Sequence, residues 1–161
     1  MKESAFRTSV LNKLPSWVHD QPMPATFMGA SGTPDHYFDY HTDLWVEWKV
    51  MRQDNHLPAR IPKVSLPTEI QQRWLRRRFA AGGNVVVIVG IKLRARAYGF
   101  VLDRPEMWEG GLDRAAYEPL IVPSAELAAY ITTRITNADL APHQGRSLPA
   151  AQSGPGHHPG P

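Results

Sequence analysis

The run NVVVIVGI at residues 84–91 is the feature that most constrains the fold of this chain. It is an almost continuous series of β-branched side chains, which is typical of a strand that is covered by other structure on both faces. The run therefore predicts a strand inside a sheet, with other parts of the chain packed on both of its faces. The 161 residues suffice for one domain with a sizeable core.

Three other segments have helical periodicity. In residues 2–18, apolar side chains recur at helical spacing, and Pro15 bends or ends the pattern. A second helix is predicted over residues 66–81, with Ser65 as its cap, and a third over residues 124–135, capped by Ser124. The side chains expected on the buried face of the second helix are Ile70, Trp74, Leu75 and Phe79.

Two segments alternate as strands do. Residues 33–50 predict a hairpin with its connection at residues 39–43, and a short strand is possible at residues 25–28. Residues 91–101 alternate strictly and are interpreted as one strand. The side chains that would share its polar face are Lys92, Arg94, Arg96 and Tyr98.

Glu47 and Lys49 are the candidates for chemistry, because they are two residues apart in an apolar strand and so point to one face. A second carboxylate, Asp35, lies on the neighbouring strand of the predicted hairpin. Two nearby carboxylates repel each other unless a cation lies between them, and oxygen ligands favour Mg²⁺ or Mn²⁺. From spacing alone, a surface Glu–Lys pair in an edge strand remains an open alternative.

Composition excludes several classes. The chain has no Cys, so disulfide scaffolds, Cys-based zinc sites and thiol nucleophiles are excluded. No apolar run approaches the roughly 18 residues of a membrane span, and no secretory leader is recognisable, so a cytoplasmic location is expected, in the host if a phage encodes the chain. No nucleotide-binding loop is present, and no nucleotide cofactor is expected.

Charge is distributed unevenly along the chain. Residues 49–96 carry eleven Lys and Arg against two acids, whereas residues 1–48 carry three against six. An acidic cluster beside a basic middle is expected for a metal-using protein that binds a polyanion, although a solvated basic surface would look the same. From residue 141 the chain is rich in Pro and Gly, which predicts a disordered tail over residues 141–161.

Pro34-Asp35, followed after eleven residues by Glu47-Trp48-Lys49, resembles the PD-(D/E)xK nuclease signature. The early Glu3, the helix TEIQQRWLRRRFAAGG and the strand NVVVIVG extend the resemblance over residues 1–92. It is similar to phage endonuclease I-type and archaeal-type Holliday junction resolvases and to the VRR-NUC nucleases. The resemblance implies a restriction-endonuclease-like αβββαβ core with a mixed central sheet flanked by helices, and a nuclease domain over residues 1–140.

The resemblance also implies roles for single residues. Asp35, Glu47 and the main-chain carbonyl of Trp48 would bind Mg²⁺, for which Mn²⁺ can substitute. Lys49 would be the catalytic lysine. Glu3 would support metal or water binding, and Gln71 would support the active site. The implied reaction is phosphodiester cleavage that leaves 5′-phosphate and 3′-hydroxyl ends, by a homodimer, since a four-way junction needs two symmetric cuts.

The residues and the resemblance together predict a Mg²⁺-dependent endodeoxyribonuclease that acts on branched DNA, as in phage recombination and DNA processing. Two alternatives remain open: a duplex endonuclease or nickase of the restriction type, and a non-catalytic DNA-binding module with this fold.

Phosphate contacts position DNA without specifying its sequence. The candidates for such contacts are Arg73, Arg76, Arg77, Lys92, Arg94 and Arg96.

Overall fold

The computed structural model describes residues 1–23, 32–52 and 56–137. The predicted strand at residues 25–28 and the predicted tail at residues 141–161 lie outside the described residues. In chain order the elements are α1 (Glu3–Leu11), β1 (His19–Pro22), β2 (His36–Asp39), β3 (Asp43–Val50), α2 (Glu69–Ala80), β4 (Val85–Leu93), β5 (Arg96–Leu102), α3 (Pro105–Gly110), α4 (Arg114–Tyr117), β6 (Val122–Pro123) and α5 (Ser124–Thr136).

Strand β4 lies inside a six-stranded sheet, as its sequence predicts. The strand order is β1-β2-β3-β4-β5-β6, and all neighbours are antiparallel except β3 and β4, which are parallel. The β4 residues from 85 to 91 are all buried. The first six elements follow the order αβββαβ, so the predicted fold class, an α/β fold with a mixed central sheet, is confirmed.

Helices cover both faces of this sheet. On one face, α1 and α5 enclose an apolar core that includes Phe6, Trp48 and Ile131. Here β4 carries Gly90, because a Cβ at that position would lie 2.3 Å from the Phe6 ring. On the other face, α2 and the short helices α3 and α4 pack over a second core. Strands β4 and β5 therefore send alternate side chains into two different cores.

The predicted strand over residues 91–101 is wrong as a single strand. Strand β4 ends at Leu93, and β5 returns from Arg96 as its antiparallel partner. Arg94 and Ala95 form the connection with φ of +46° and +67°. Two positive φ values are what a tight two-residue hairpin of the type I′ kind requires. Lys92, Arg94 and Arg96 therefore do not form a row along one strand.

Helix α1 is shorter than its apolar pattern, whereas α5 matches its prediction in extent. Helix α1 ends at Leu11, so Trp17 lies beyond it and is 41% exposed. The apolar spacing continues past the point at which the backbone leaves this helix. Helix α5 covers Ser124–Thr136, but its cap position is Pro123, so the prediction of Ser124 as the cap is wrong.

Helix α2 begins later than predicted. Its cap is Thr68, whereas Ser65 lies in a short 3₁₀ turn, Lys63–Ser65. Of the four side chains predicted to be buried, Leu75 is fully buried and Ile70 is 44% exposed. Trp74 and Phe79 are partly buried against the core. The face of α2 that contacts the sheet is thus narrower than its apolar residues suggest.

Residues 103–118 form α3 and α4, which brace the long loop after β3. Trp108 and Tyr117 are buried in the core beside α2. Arg60 of the loop donates to the carbonyl of Gly110 and pairs with Asp113 at 2.9 Å. The Tyr117 hydroxyl donates to the Pro58 carbonyl at 2.5 Å. Within the described ranges, no helix is long and apolar enough to cross a bilayer.

Candidate active site

Glu47 and Lys49 extend from the middle of β3 toward α2, and the alternation predicted for this strand is confirmed. The Lys49 Nζ lies 2.6 Å from Glu47 Oε1. The Glu47 side chain is completely buried, and that of Lys49 is 16% exposed. Val46 and Trp48 face the opposite core. The pair is therefore an ion pair beneath the surface, and the alternative of a surface pair in an edge strand is wrong, since β3 is an internal strand.

Asp35 lies beside Glu47 on the adjacent chain segment. The register pairs His36 with Val46, so Asp35, the next residue outward, lies level with Glu47. The Trp48 backbone N–H donates to Asp35 Oδ2 at 2.9 Å. This bond fixes the Asp35 carboxylate at the edge of β3. The two acids of the predicted motif are thus brought to one place by the hairpin.

Gly32, at the start of the GTPD stretch, explains how this loop reaches α2. Its φ is +92°, a conformation that favours glycine, and a Cβ there would lie 2.7 Å from the Ile70 carbonyl oxygen. A larger residue would push the loop away from the first turn of α2. The loop that carries Asp35 and the helix that carries Gln71 therefore pack directly against each other.

Gln71 reaches Glu47 from the first turn of α2. Its Nε2 donates to Glu47 Oε1 at 2.6 Å, the same oxygen that Lys49 contacts. The other oxygen, Glu47 Oε2, is buried and has no hydrogen-bond partner among the described residues. An unsatisfied buried carboxylate oxygen is costly unless something else binds it. One oxygen of the Glu47 carboxylate is thus fixed by two donors, while the other lacks a donor among the described residues.

The acids of the site interact electrostatically. Burial, and then the Asp35 carboxylate, raise the pKa of Glu47 to about 7, against the opposing effect of Lys49. Glu3, half-buried at the start of α1, has its pKa raised by burial and then by Asp35. Repulsion between carboxylates that are this close is relieved by a cation or by a proton. Glu3 is coupled to the site through charge, and no hydrogen bond from it to the other acids is seen in the described parts of the chain.

The donor set fits a hard divalent cation. Asp35 and Glu47 offer carboxylate oxygens, which Mg²⁺ and Mn²⁺ prefer. Among residues 1–23, 32–52 and 56–137, no three His, Asp or Glu side chains are arranged to hold a metal by themselves. A bound cation would therefore have to draw on a further oxygen, for which the Trp48 main-chain carbonyl is the predicted ligand.

The predicted DNA-binding residues fall into two separate groups. Arg73 and Arg77 line a shallow concave surface of about 400 Å³ along α2, together with Ile70 and Arg76. Arg76 is already paired with Glu109 of α3 through two hydrogen bonds. Arg96 instead lines a depression near Lys13 of α1, away from the α2 arginines. Lys92 and Arg94 are exposed near the same β4–β5 turn.

Two residues of functional interest were missed by the sequence analysis. Thr68 holds the Gln71 side chain through its backbone N–H, and the signal was present in the spacing Thr-x-x-Gln, which is typical of a capping box. Glu109 pairs with Arg76 from a segment distant in sequence. No local pattern in the sequence indicates that second contact.

Comparisons with known proteins gave a structural similarity and no sequence match. No family model matches the sequence, and no curated protein matches it. Among solved structures, the chain is similar to Hjc of Archaeoglobus fulgidus, a Holliday junction resolvase from an archaeal hyperthermophile, with 16% sequence identity and a TM-score of 0.48. The similarity covers 80% of this chain and 96% of that chain. The α/β class rests on this chain's own sheet and helices.

Proposed function

We propose that this chain is a divalent-metal-dependent endodeoxyribonuclease that hydrolyses phosphodiester bonds in branched DNA. The observation that carries the proposal is the buried Glu47 carboxylate. Lys49 and Gln71 hold one of its oxygens, and the other has no hydrogen-bond partner in the part of the chain that the structure describes. A purely structural ion pair would not be stabilised by a buried carboxylate oxygen that lacks a donor and lies beside a second acid.

Asp35, Glu47 and the Trp48 main-chain carbonyl are the residues that would hold Mg²⁺ or Mn²⁺. Such an ion, when bound, activates water and neutralises charge on the scissile phosphate. The raised pKa of Glu47 is consistent with this role, since a nearby cation would stabilise the ionised form that burial disfavours.

The remaining polar groups act on the substrate or on the acids. Lys49 is close enough to the surface to reach a phosphate, where it would stabilise developing negative charge or orient a water. Glu3 would contribute a further carboxylate at the rim of the site. Gln71 would keep the Glu47 carboxylate in one orientation through its 2.6 Å hydrogen bond.

DNA would lie over the concave surface of α2. Arg73 and Arg77 are four residues apart, so both extend from one side of the helix that also carries Gln71. Arg76 would contribute less to phosphate binding, because Glu109 already neutralises it. Lys92, Arg94 and Arg96 are proposed as contacts to another arm of a branched substrate, since they lie on a different part of the surface.

Selectivity for junctions and a homodimeric state belong to the same proposal. They rest on the sequence resemblance to junction resolvases. A four-way junction is symmetric, and two identical active sites would be needed to cut it in two opposed strands.

The test compares cleavage of an end-labelled four-way junction with cleavage of a linear duplex of matched sequence. The purified chain is assayed with Mg²⁺, with Mn²⁺ and with EDTA, beside Asp35→Asn and the control Asp39→Asn, which changes an exposed acid at the β2–β3 turn. We expect paired, symmetric cuts on the junction by wild type and by the control. The Asp35→Asn variant and the EDTA reaction should give none.

Each other outcome has a defined meaning. Equal cutting of junction and duplex would retain the nuclease chemistry and remove the junction claim, leaving a duplex endonuclease or nickase. Binding of DNA without cutting in either metal would contradict the proposal in favour of a non-catalytic DNA-binding module. Ligatable nicks would verify 5′-phosphate and 3′-hydroxyl ends.

A further inference from the structure

The first turn of α2 contains a reciprocal pair of hydrogen bonds between Thr68 and Gln71. The Thr68 backbone N–H donates to Gln71 Oε1 at 2.8 Å, and the Gln71 backbone N–H donates to Thr68 Oγ1 at 3.4 Å. This is a capping box, which satisfies two backbone donors at a helix start. Here one partner of the box also contacts the buried acid of the candidate active site.

The capping bond decides which end of the Gln71 amide faces Glu47. A backbone N–H can only donate, so the atom of the Gln71 side chain that lies next to Thr68 N must be the carbonyl oxygen. The other end of the same planar group is the NH₂, and it donates to Glu47 Oε1 at 2.6 Å. In the reverse orientation, two donors would face each other at Thr68, and two acceptors would face each other at Glu47.

We propose that Thr68 is a positioning residue, whose backbone N–H holds the Gln71 amide as a fixed donor to Glu47. The cleavage consequence rests on the nuclease function proposed above, whereas the contact itself does not. The capping box thereby orients a group of the candidate active site in addition to stabilising the first turn of α2. Because Gln71 and Lys49 share one oxygen of Glu47, a rotated amide would leave Lys49 as the remaining donor to that oxygen.

The backbone of Thr68 permits a pair of substitutions that together isolate its N–H group. Its φ of −64° and ψ of 162° match the conformation of proline, which has no N–H. Thr68→Pro removes the donor to Gln71 Oε1. Thr68→Val keeps that donor and loses only the hydroxyl, and Thr68→Ser keeps both groups. A difference between the Pro and Val variants therefore isolates the backbone N–H.

Gln71→Glu gives a second, independent variant. Glutamate at this position can still accept from the Thr68 N–H, so the capping box and the helix are preserved. Its other oxygen, however, is an acceptor that faces the Glu47 carboxylate. A loss of function in Gln71→Glu cannot be attributed to a poorly capped helix, which keeps the proposal testable if Thr68→Pro does not fold.

The experiment combines NMR of the full chain with single-turnover cleavage of a four-way junction. In ¹⁵N-labelled wild type, Thr68→Ser and Thr68→Val, we expect the Gln71 side-chain NH₂ resonances to be protected from exchange; Gln71→Glu identifies them by their disappearance. In Thr68→Pro, protection should be lost. The maximal cleavage rate should fall about 10-fold in Thr68→Pro and Gln71→Glu, with little change in half-saturating DNA concentration and less than about 3-fold change in Thr68→Val.

The outcomes separate this inference from the proposed function. If wild type cuts the junction and both Thr68→Pro and Gln71→Glu cut as fast as Thr68→Val, the positioning role is wrong. If wild type does not cut at all, the proposed function fails, and the NMR result alone decides the contact: a protected Gln71 amide that stays protected in Thr68→Pro overturns it.

Discussion

Strand β3 has two faces that are chemically opposite. On the α1 and α5 side, Val46 and Trp48 are fully buried, and the Phe6 ring lies 5.8 Å and the His36 ring 6.1 Å from the Trp48 ring. On the α2 side, Glu47 is fully buried and Lys49 is 16% exposed, and the two side chains form an ion pair. Alternation along one strand thus supplies the domain with a core on one side and with its candidate chemistry on the other.

Burial alone does not identify the role of a side chain in β3. Burying apolar surface stabilises the fold, whereas burying a carboxylate opposes it unless partners compensate. Within the described ranges, Glu47 has two donors on one oxygen and none on the other. We therefore expect substitutions on the apolar face of β3 chiefly to lower stability. Substitutions on the charged face should chiefly lower activity.

The largest expected effect is on the apolar face. Trp48→Ala should lower the free energy of unfolding by roughly 3–5 kcal/mol, because it removes a fully buried ring from the core between the sheet and α1. Trp17→Ala is the matched control, since that ring is 41% exposed and its loss should cost far less. Urea denaturation measures both losses, and equal values would mean that the Trp48 ring does not contribute to a packed core.

The charged face should make stability depend on pH. Glu47 is an acid whose pKa rises from 4.5 in a free side chain to about 7 in the folded chain, so the folded state binds the proton more tightly than the unfolded state does. The free energy of unfolding should therefore fall as the pH rises between about 4.5 and 7, by an amount on the order of 3 kcal/mol.

Glu47→Gln supplies the control for that pH dependence. It removes the titrating group while keeping a side chain of similar size between Lys49 and Gln71. In urea titrations with EDTA at several pH values, the variant should show a flatter profile than wild type. The same slope in both proteins would mean that Glu47 does not titrate in this range.

The surface along α2 should bind DNA through Arg73 and Arg77. Replacing both by Ala should weaken junction binding roughly 10-fold at moderate salt and reduce the salt dependence by about two phosphate contacts. Arg104→Ala is the control, because it removes an exposed arginine that belongs to neither proposed group of DNA contacts. Fluorescence anisotropy at several salt concentrations measures both effects, and an equal or larger loss in the Arg104 variant would contradict binding along α2.

The smallest expected effect concerns the brace that covers the α2 face. Arg60→Ala should lower stability by about 1 kcal/mol, because it removes hydrogen bonds to the Gly110 carbonyl and a pair with Asp113 at the partly exposed edge of the loop. Arg104→Ala removes only long contacts of 3.6 and 3.7 Å to neighbours in sequence. Thermal unfolding should leave the Arg104 variant unchanged, and identical shifts would argue that the loop is not braced.

Features of the fold that depend on local pattern could be predicted. The β4 run and the β2–β3 hairpin needed only composition and alternation, and both are confirmed. The β4–β5 turn could not be recognised, because Arg94 and Ala95 occupy positive-φ positions that Asn and Gly usually fill. The start of α2 was misplaced because Ser65 and Pro67 imitate the start signal that Thr68 provides.

The residues of the candidate site also divide into those that local sequence patterns predict and those that depend on tertiary packing. The spacing of Asp35, Glu47 and Lys49 was informative because a hairpin and an alternating strand convert it directly into proximity. Gln71 was expected only through the family resemblance, since its contact with Glu47 spans 24 residues and depends on how α2 packs. The pairing of Arg76 with Glu109 depends on tertiary contacts that carry no sequence signal.

The measurement that tests the central claim most directly is the single-turnover cleavage rate of a four-way junction by wild type and by Glu47→Gln, each with Mg²⁺ and with EDTA. Both proteins must first show the same cooperative unfolding. We predict that wild type with Mg²⁺ cuts at least about 10²-fold faster than the variant, and that EDTA abolishes cutting. Equal metal-dependent rates in the two proteins would contradict the account, because the chemistry would then lie somewhere other than on the α2 face of β3.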